Sequence, residues 1–184
     1  MKKMPKDYQE IQAKKSSTSR GTQWGTRARE SVFQYLGYFK GKILEVGCND
    51  GYAMEYIQEK GFEVEGVDIA RHKLKIAKEH RLKVHFAYQE KMPFTDKQFD
   101  TIFSSHTLEH SYDPKKAVNE YQRVAKRAIV IVPIEPTAPS RPVHVSPFNS
   151  EEDLLKLFKD RREILLKESR YNIEREYIVI VEFK

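Results

Sequence analysis

Lys42-Ile43-Leu44-Glu45-Val46-Gly47-Cys48-Asn49-Asp50-Gly51 is the stretch that decides the fold. An apolar run from Ile43 to Val46 breaks into a turn bounded by Gly47 and Gly51, and Tyr52, Ala53, Tyr56 and Ile57 follow at helical spacing. That order reads as strand, tight loop, helix. A second run, Val64-Glu65-Gly66-Val67, ends in Asp68. Glycines between a strand and a helix let the backbone approach a ligand closely. An acid at the tip of the next strand can accept two hydrogen bonds from ribose hydroxyls. Together they predict a nucleoside-binding half-site in a doubly wound sheet, with capping of a following helix as the alternative role for Asp68.

A pyrophosphate cofactor calls for G-x-G-x-x-G, whereas this loop has only Gly47 and Gly51, with Asn49 between them. A nucleoside without a pyrophosphate suits it better. The segment Glu45-Val46-Gly47-Cys48-Asn49-Asp50-Gly51 resembles the first motif of the class I S-adenosylmethionine-dependent methyltransferases, with Asn49 in place of the middle glycine. Asn is the residue after Gly that best tolerates a left-handed backbone. The resemblance continues through Met92-Pro93-Phe94, then Phe99-Asp100 and its strand, then Ser105-His106-Thr107-Leu108-Glu109-His110, and finally His144 to Phe148 ahead of a capped helix. These motifs, in this order, are similar to those of the small type 11/23 methyltransferases.

The resemblance implies a Rossmann-like α/β sheet of seven strands, ordered 3-2-1-4-5-7-6, with strand 7 antiparallel. It implies S-adenosylmethionine as cofactor. Gly47, Cys48, Asn49 and Gly51 would line it, and Asp68 and Ile69 would hold the ribose side. Glu45, a buried acid that must be hydrogen-bonded, would orient the loop or the methionine amino end. Tyr88 and Gln89 stand where many relatives bond the adenine, and Ser105 closes the set.

The chain has 184 residues, a formal charge of +6 and a single cysteine, Cys48. That length suits one domain with a real core. One cysteine excludes an internal disulfide and a CxxC metal site, and a reducing cytoplasm is the simplest home. No run reaches the roughly 20 apolar residues of a membrane span. Residues 1–22 are basic and poor in apolar residues, and read as a flexible lead to one domain over 23–184. Such a lead could touch an acidic surface, but no RNA-binding module accompanies it, so nucleic acid is disfavoured as a partner.

Helical spacing predicts helices over 26–39, 51–60, 71–79, 114–125 and 151–159. Asp113-Pro114 and Ser150 serve as start signals for the last two. Strands are predicted at 42–46, 63–67, 83–87, 99–104, 128–132, about 162–168 and 175–182, the last two as an antiparallel hairpin. Five prolines make 133–149 a loop.

His106 and His110, at i and i+4, would share one face if helical. With Glu109 they admit three readings: polar packing at the turn after the fourth strand, part of a metal site, or contact with substrate. The expectation is catalysis without a metal, with His106 as base or orienting group and His110 beside it, because two histidines on one turn make only part of a site. His144 is the one further ligand the sequence offers. The predicted function is methyl transfer to a small-molecule acceptor through oxygen, nitrogen or carbon. Methylation of RNA or protein is the competing enzyme reading, and a nucleoside-binding scaffold the competing non-enzyme one.

Overall fold

The structure, a computed structural model, describes residues 19–135, 144–158, 163–171 and 174–183. Most of the basic lead, the middle of the proline loop and the tip of the C-terminal hairpin lie outside the described residues.

Strands and helices alternate: α1 (Gln23–Tyr35), β1 (Ile43–Val46), α2 (Tyr52–Glu59), β2 (Val64–Asp68), α3 (Arg71–Glu79), β3 (Val84–Phe86), β4 (Phe99–Ser105), α4 (Pro114–Val124), β5 (Ala125–Pro133), α5 (Glu151–Phe158), β6 (Glu163–Tyr171) and β7 (Glu174–Glu182). They build one seven-stranded sheet in the order 3-2-1-4-5-7-6. β1 to β5 run parallel, and β7 pairs antiparallel with both β5 and β6. A parallel neighbour needs a crossover, and α2, α3 and α4 supply those from β1 to β2, β2 to β3 and β4 to β5, while 87–98 links β3 to β4 without a helix.

Because side chains alternate along a strand, every central strand feeds two cores. Leu44, Ile102 and Val130 meet Val118, Tyr121, Leu154 and Phe158 of α4 and α5 on one face. Ile43, Phe103 and Ile129 meet Val32, Met54, Ile57 and Leu74 of α1, α2 and α3 on the other. Burial on both faces explains why β1 and β5 read as continuous apolar runs.

Three boundaries differ from expectation. Thr22 caps α1, accepting from Gly25 N, so that helix starts earlier than residue 26. It gives way to a 3₁₀ turn at Leu36–Tyr38 around Gly37, a poor helix former. β5 begins directly at Ala125, with no loop after α4. The lead also ends sooner than residue 22. Ser19 Oγ donates to Asp50, and the Arg20 guanidinium pairs with Glu55 at 2.7 Å, tying residues 19 and 20 onto the start of α2.

Candidate functional site

The C-terminal ends of parallel strands are where ligands bind in open α/β sheets, and the predicted residues gather there. Gly47, Asn49 and Gly51 all adopt positive φ, at 79°, 54° and 76°. Asn49 therefore takes the left-handed conformation expected of it. Its Oδ1 accepts from Asp50 N at 2.9 Å, a local bond that helps hold the bend. A side chain at Gly47 would collide with Thr107, and one at Gly51 with Leu82. Gly47 N and Cys48 N both donate to Val67 O, at 2.9 and 3.0 Å, which docks the loop on β2.

Asp68 sits half-buried at the tip of β2. One oxygen accepts from Asn49 N at 2.9 Å and the other from Ala70 N at 2.7 Å. The carboxylate thus ties the glycine loop to the start of α3, and each oxygen keeps a lone pair for a further donor. Glu45 is buried beneath the loop, and its Oε2 has no hydrogen-bond partner among the described residues. Burial, then the nearby charges of Asp68 and Asp50, push its carboxyl well above the usual range. Ile69, half-buried, follows Asp68 into the turn.

Cys48 follows Gly47 in the loop. Its backbone belongs to the loop, but its side chain is buried in the core against Gly66, where it packs rather than faces a ligand. Burial first, then Asp68 and Glu45, push the thiol well up, so it is inert. Gln89 is also committed elsewhere. Its amide donates to Thr107 O at 3.0 Å and accepts from Tyr121 OH at 2.6 Å, pinning the segment after β4. Tyr88 is half-buried, its ring edge-on to Phe86 at 5.9 Å. Ser105 ends β4, and its carbonyl accepts from Thr107 Oγ1 at 3.1 Å.

The segment 106–110 does not form the helical face that the i, i+4 spacing suggests. Leu108–His110 is a 3₁₀ turn, and His106 turns through φ 51°. The two imidazoles flank Glu109 instead. His106 Nδ1 lies 3.7 Å and His110 Nε2 3.9 Å from Glu109 Oε1. On its far side His106 Nε2 meets Glu176 Oε1 of β7 at 2.8 Å, and the same oxygen binds the Arg27 guanidinium of α1. Burial favours the neutral form of Glu176, but His106 and Arg27 outweigh it and hold its carboxyl below the usual range. His110 packs edge-to-face on His144, with ring centroids 4.9 Å apart, and His144 Nδ1 bonds Glu135 at 2.7 Å.

Glu109, His110 and His144 each bring one donor atom within 4.8 Å of the others. Any cation here would draw on that set. The Glu109–His110 separation of 3.9 Å exceeds the roughly 3.3 Å between two ligands of a tetrahedral zinc. Arg27, Thr107, Glu135 and Glu176 escaped the sequence reading. Arg27 and Glu176 are 149 residues apart, and neither lies in a motif.

This sheet order, with a glycine loop and a strand-tip acid at its switch point, defines a class I nucleoside-binding α/β domain. Residues 44–132 match the methyltransferase domain family. The chain is 37% identical over 94 residues to an uncharacterised protein of Methanocaldococcus jannaschii, covering 50% of this chain and 43% of that one. It is 36% identical over 103 residues to the ubiquinone biosynthesis O-methyltransferase of Alkalilimnicola ehrlichii, covering 52% and 42%. The chain thus spans less than half the length of these curated relatives. A solved S-adenosylmethionine-dependent methyltransferase from Archaeoglobus fulgidus superposes with a TM-score of 0.73 at 18% identity, over 89% of this chain and 95% of that one. A Pyrococcus horikoshii protein also gives 0.73 at 18% identity, over 91% and 94%. Within residues 44–132 the chain is similar to the methyltransferase domain family, and its fold is that of a solved S-adenosylmethionine-dependent methyltransferase.

The residues present fit that cofactor. The unpartnered Glu45 oxygen suits a cationic amino group, and Asp68 retains acceptor capacity for a diol. The three positive-φ positions keep Cβ atoms out of the loop or allow a left-handed Asn.

Proposed function

We propose that this chain transfers a methyl group from S-adenosylmethionine to a small-molecule acceptor. The observation that carries the reading is the loop from Gly47 to Gly51, backed by the buried Glu45 and joined to Asp68 through Asn49 N at 2.9 Å. Bound there, S-adenosylmethionine supplies an already activated methyl on a positive sulfur. The protein's work is then alignment of the acceptor and removal of its proton. Thr107 lies against Gly47, so the neighbouring His106 stands beside the cofactor loop, at the acceptor side.

Gly47 to Gly51, Asp68 and Ile69 would line the cofactor, with Tyr88 beside the adenine. Ser105 and the backbone of Thr107 would border the transferred methyl, His106 would act on the acceptor, and His110 would support it from across Glu109. The reading is metal-free: His106 bonds Glu176, His144 bonds Glu135, and two histidines on one turn make only part of a metal site. A reducing cytoplasm suits the single buried thiol. Among the described residues no helix is long and apolar enough to cross a membrane.

Calorimetry tests the reading first. S-adenosylmethionine and its demethylated product should both bind. A response to NAD with none to either methionine derivative would sink it. Metal analysis, with activity assayed after chelation and readdition, tests the metal-free part. Stoichiometric metal with activity lost and restored would overturn that part.

A further inference from the structure

We propose that Glu176 is a positioning residue that fixes His106 as a general base, so that the acceptor is a small molecule methylated on a hydroxyl. The inference rests on the methyltransferase reading and names its acceptor chemistry. A carboxylate accepts only, so the 2.8 Å contact requires that His106 Nε2 carry the proton and donate to Glu176. In the neutral ring the other nitrogen, Nδ1, holds the lone pair.

Glu176 is itself held. It is buried, anchored in β7 opposite Pro133 of β5, and gripped by the buried Arg27 of α1. His106 N donates to Ile131 O at 2.9 Å, which fixes the backbone end of the side chain. The imidazole is thus fixed at its backbone and at one nitrogen. Such an arrangement sets tautomer and aim rather than merely filling space.

The charges around the ring all bear on protonation at Nδ1. Glu176 faces Nε2, and Glu109 lies 3.7 Å from Nδ1. Arg27 faces Glu176 from behind, and His110 lies across Glu109, backed by the His144–Glu135 pair. An imidazolium formed here meets a carboxylate at each nitrogen. That favours a base able to take a proton during the reaction.

A neutral, weakly basic amine attacks through a lone pair it already has and loses its proton afterwards. A hydroxyl must shed its proton as the new bond forms. In the step, the acceptor O–H gives its proton to His106 Nδ1 and the oxygen forms a bond to the methyl carbon. The carbon–sulfur bond breaks with its electron pair returning to sulfur. The imidazolium then releases the proton to water.

The test begins with the tautomer, which needs no acceptor. Nitrogen-15 NMR of the full chain should show neutral His106 as the Nε2–H form. Glu176→Gln should shift that ratio, and Glu176→Asp should restore it in part. An Nδ1–H tautomer, or a ratio unmoved in a folded Glu176→Gln protein, would overturn the positioning role.

Transfer from S-adenosylmethionine to catechol, glucose and aniline tests the acceptor. Product should form on a hydroxyl. His106→Ala should lower kcat by about 100-fold and Glu176→Gln by about 10-fold or more, with KM within about twofold. Circular dichroism and product-cofactor binding control for folding. Transfer to the amine alone, with cofactor binding intact, would overturn the hydroxyl assignment and leave the methyltransferase reading standing. Loss of cofactor binding by the wild-type chain would remove both.

Discussion

The two sides of the site are built in opposite ways. On the cofactor side, Glu45, the Gly47–Gly51 loop and Asp68 lie within 24 consecutive residues, and their geometry is set by local bonds such as Asn49 N to Asp68. On the proposed acceptor side, His106 depends on Glu176 of β7 and Arg27 of α1, while His110 packs on His144 in the far part of the proline loop. A contiguous site can be written into a short sequence motif. A site assembled from distant segments exists only once the sheet has closed.

If the cofactor side is a local device, changes within residues 45–68 should disable cofactor binding. Gly47→Val is expected to do the most harm. It places a β-branched residue at φ 79° against Thr107. Backbone strain of about 1–3 kcal/mol adds to the clash. Cofactor binding should disappear and the melting temperature should fall. Binding retained at wild-type strength would show that the loop does not enclose the cofactor.

Asp68→Ala comes next. Cofactor affinity should drop by about 1–3 kcal/mol, the scale of hydrogen bonds to a charged group. Stability should drop as well, because Asn49 N and Ala70 N lose their acceptor. Asp68→Asn, which keeps one acceptor oxygen, separates the two effects. An unchanged dissociation constant in a folded Asp68→Ala protein would leave Asp68 with only its loop-tying role.

At the opposite end of the sheet, Glu65 provides a control remote from both sides. It is buried on β2 and bound by Lys42, Lys83 and His85 at 2.7, 2.8 and 2.9 Å. Desolvation favours its neutral form, yet the hydrogen bonds from those three partners prevail and pull its carboxyl from 4.5 down to about 2. A depressed carboxylate stabilises the fold fully above its unfolded value, and that contribution fades as pH falls from 4.5 toward 2. Urea titrations over that window should show Glu65→Gln with a shallower pH slope than wild type. Equal slopes would assign acid sensitivity elsewhere.

The smallest effect is expected at Asn49. Asn49→Ala should cost about 1 kcal/mol for a left-handed residue without a local hydrogen bond. Asn49→Gly should cost less, since glycine adopts that backbone freely. If both variants lose cofactor binding outright, the Asn49 side chain has a direct role that its bond to Asp50 N does not reveal.

The sequence by itself determined the glycine loop, the strand-tip acid and the order of elements. Alternating strand and helix patterns dictate a parallel sheet, and the glycine spacing dictates where its backbone opens. Asp113 and Ser150 cap α4 and α5 as read, accepting from Lys116 N at 3.0 Å and Asp153 N at 3.2 Å. Those features are local, because each is fixed by residues within a turn or two of one another. The tertiary structure alone decided the rest. Gln89 became a brace for the segment after β4, and the histidines took a 3₁₀ turn in which they flank Glu109. The pairing of His106 with Glu176 has no local signature. A buried carboxylate on the last strand finds its imidazole partner, 70 residues earlier, only because the antiparallel β7 lays its start beside the ends of β4 and β5.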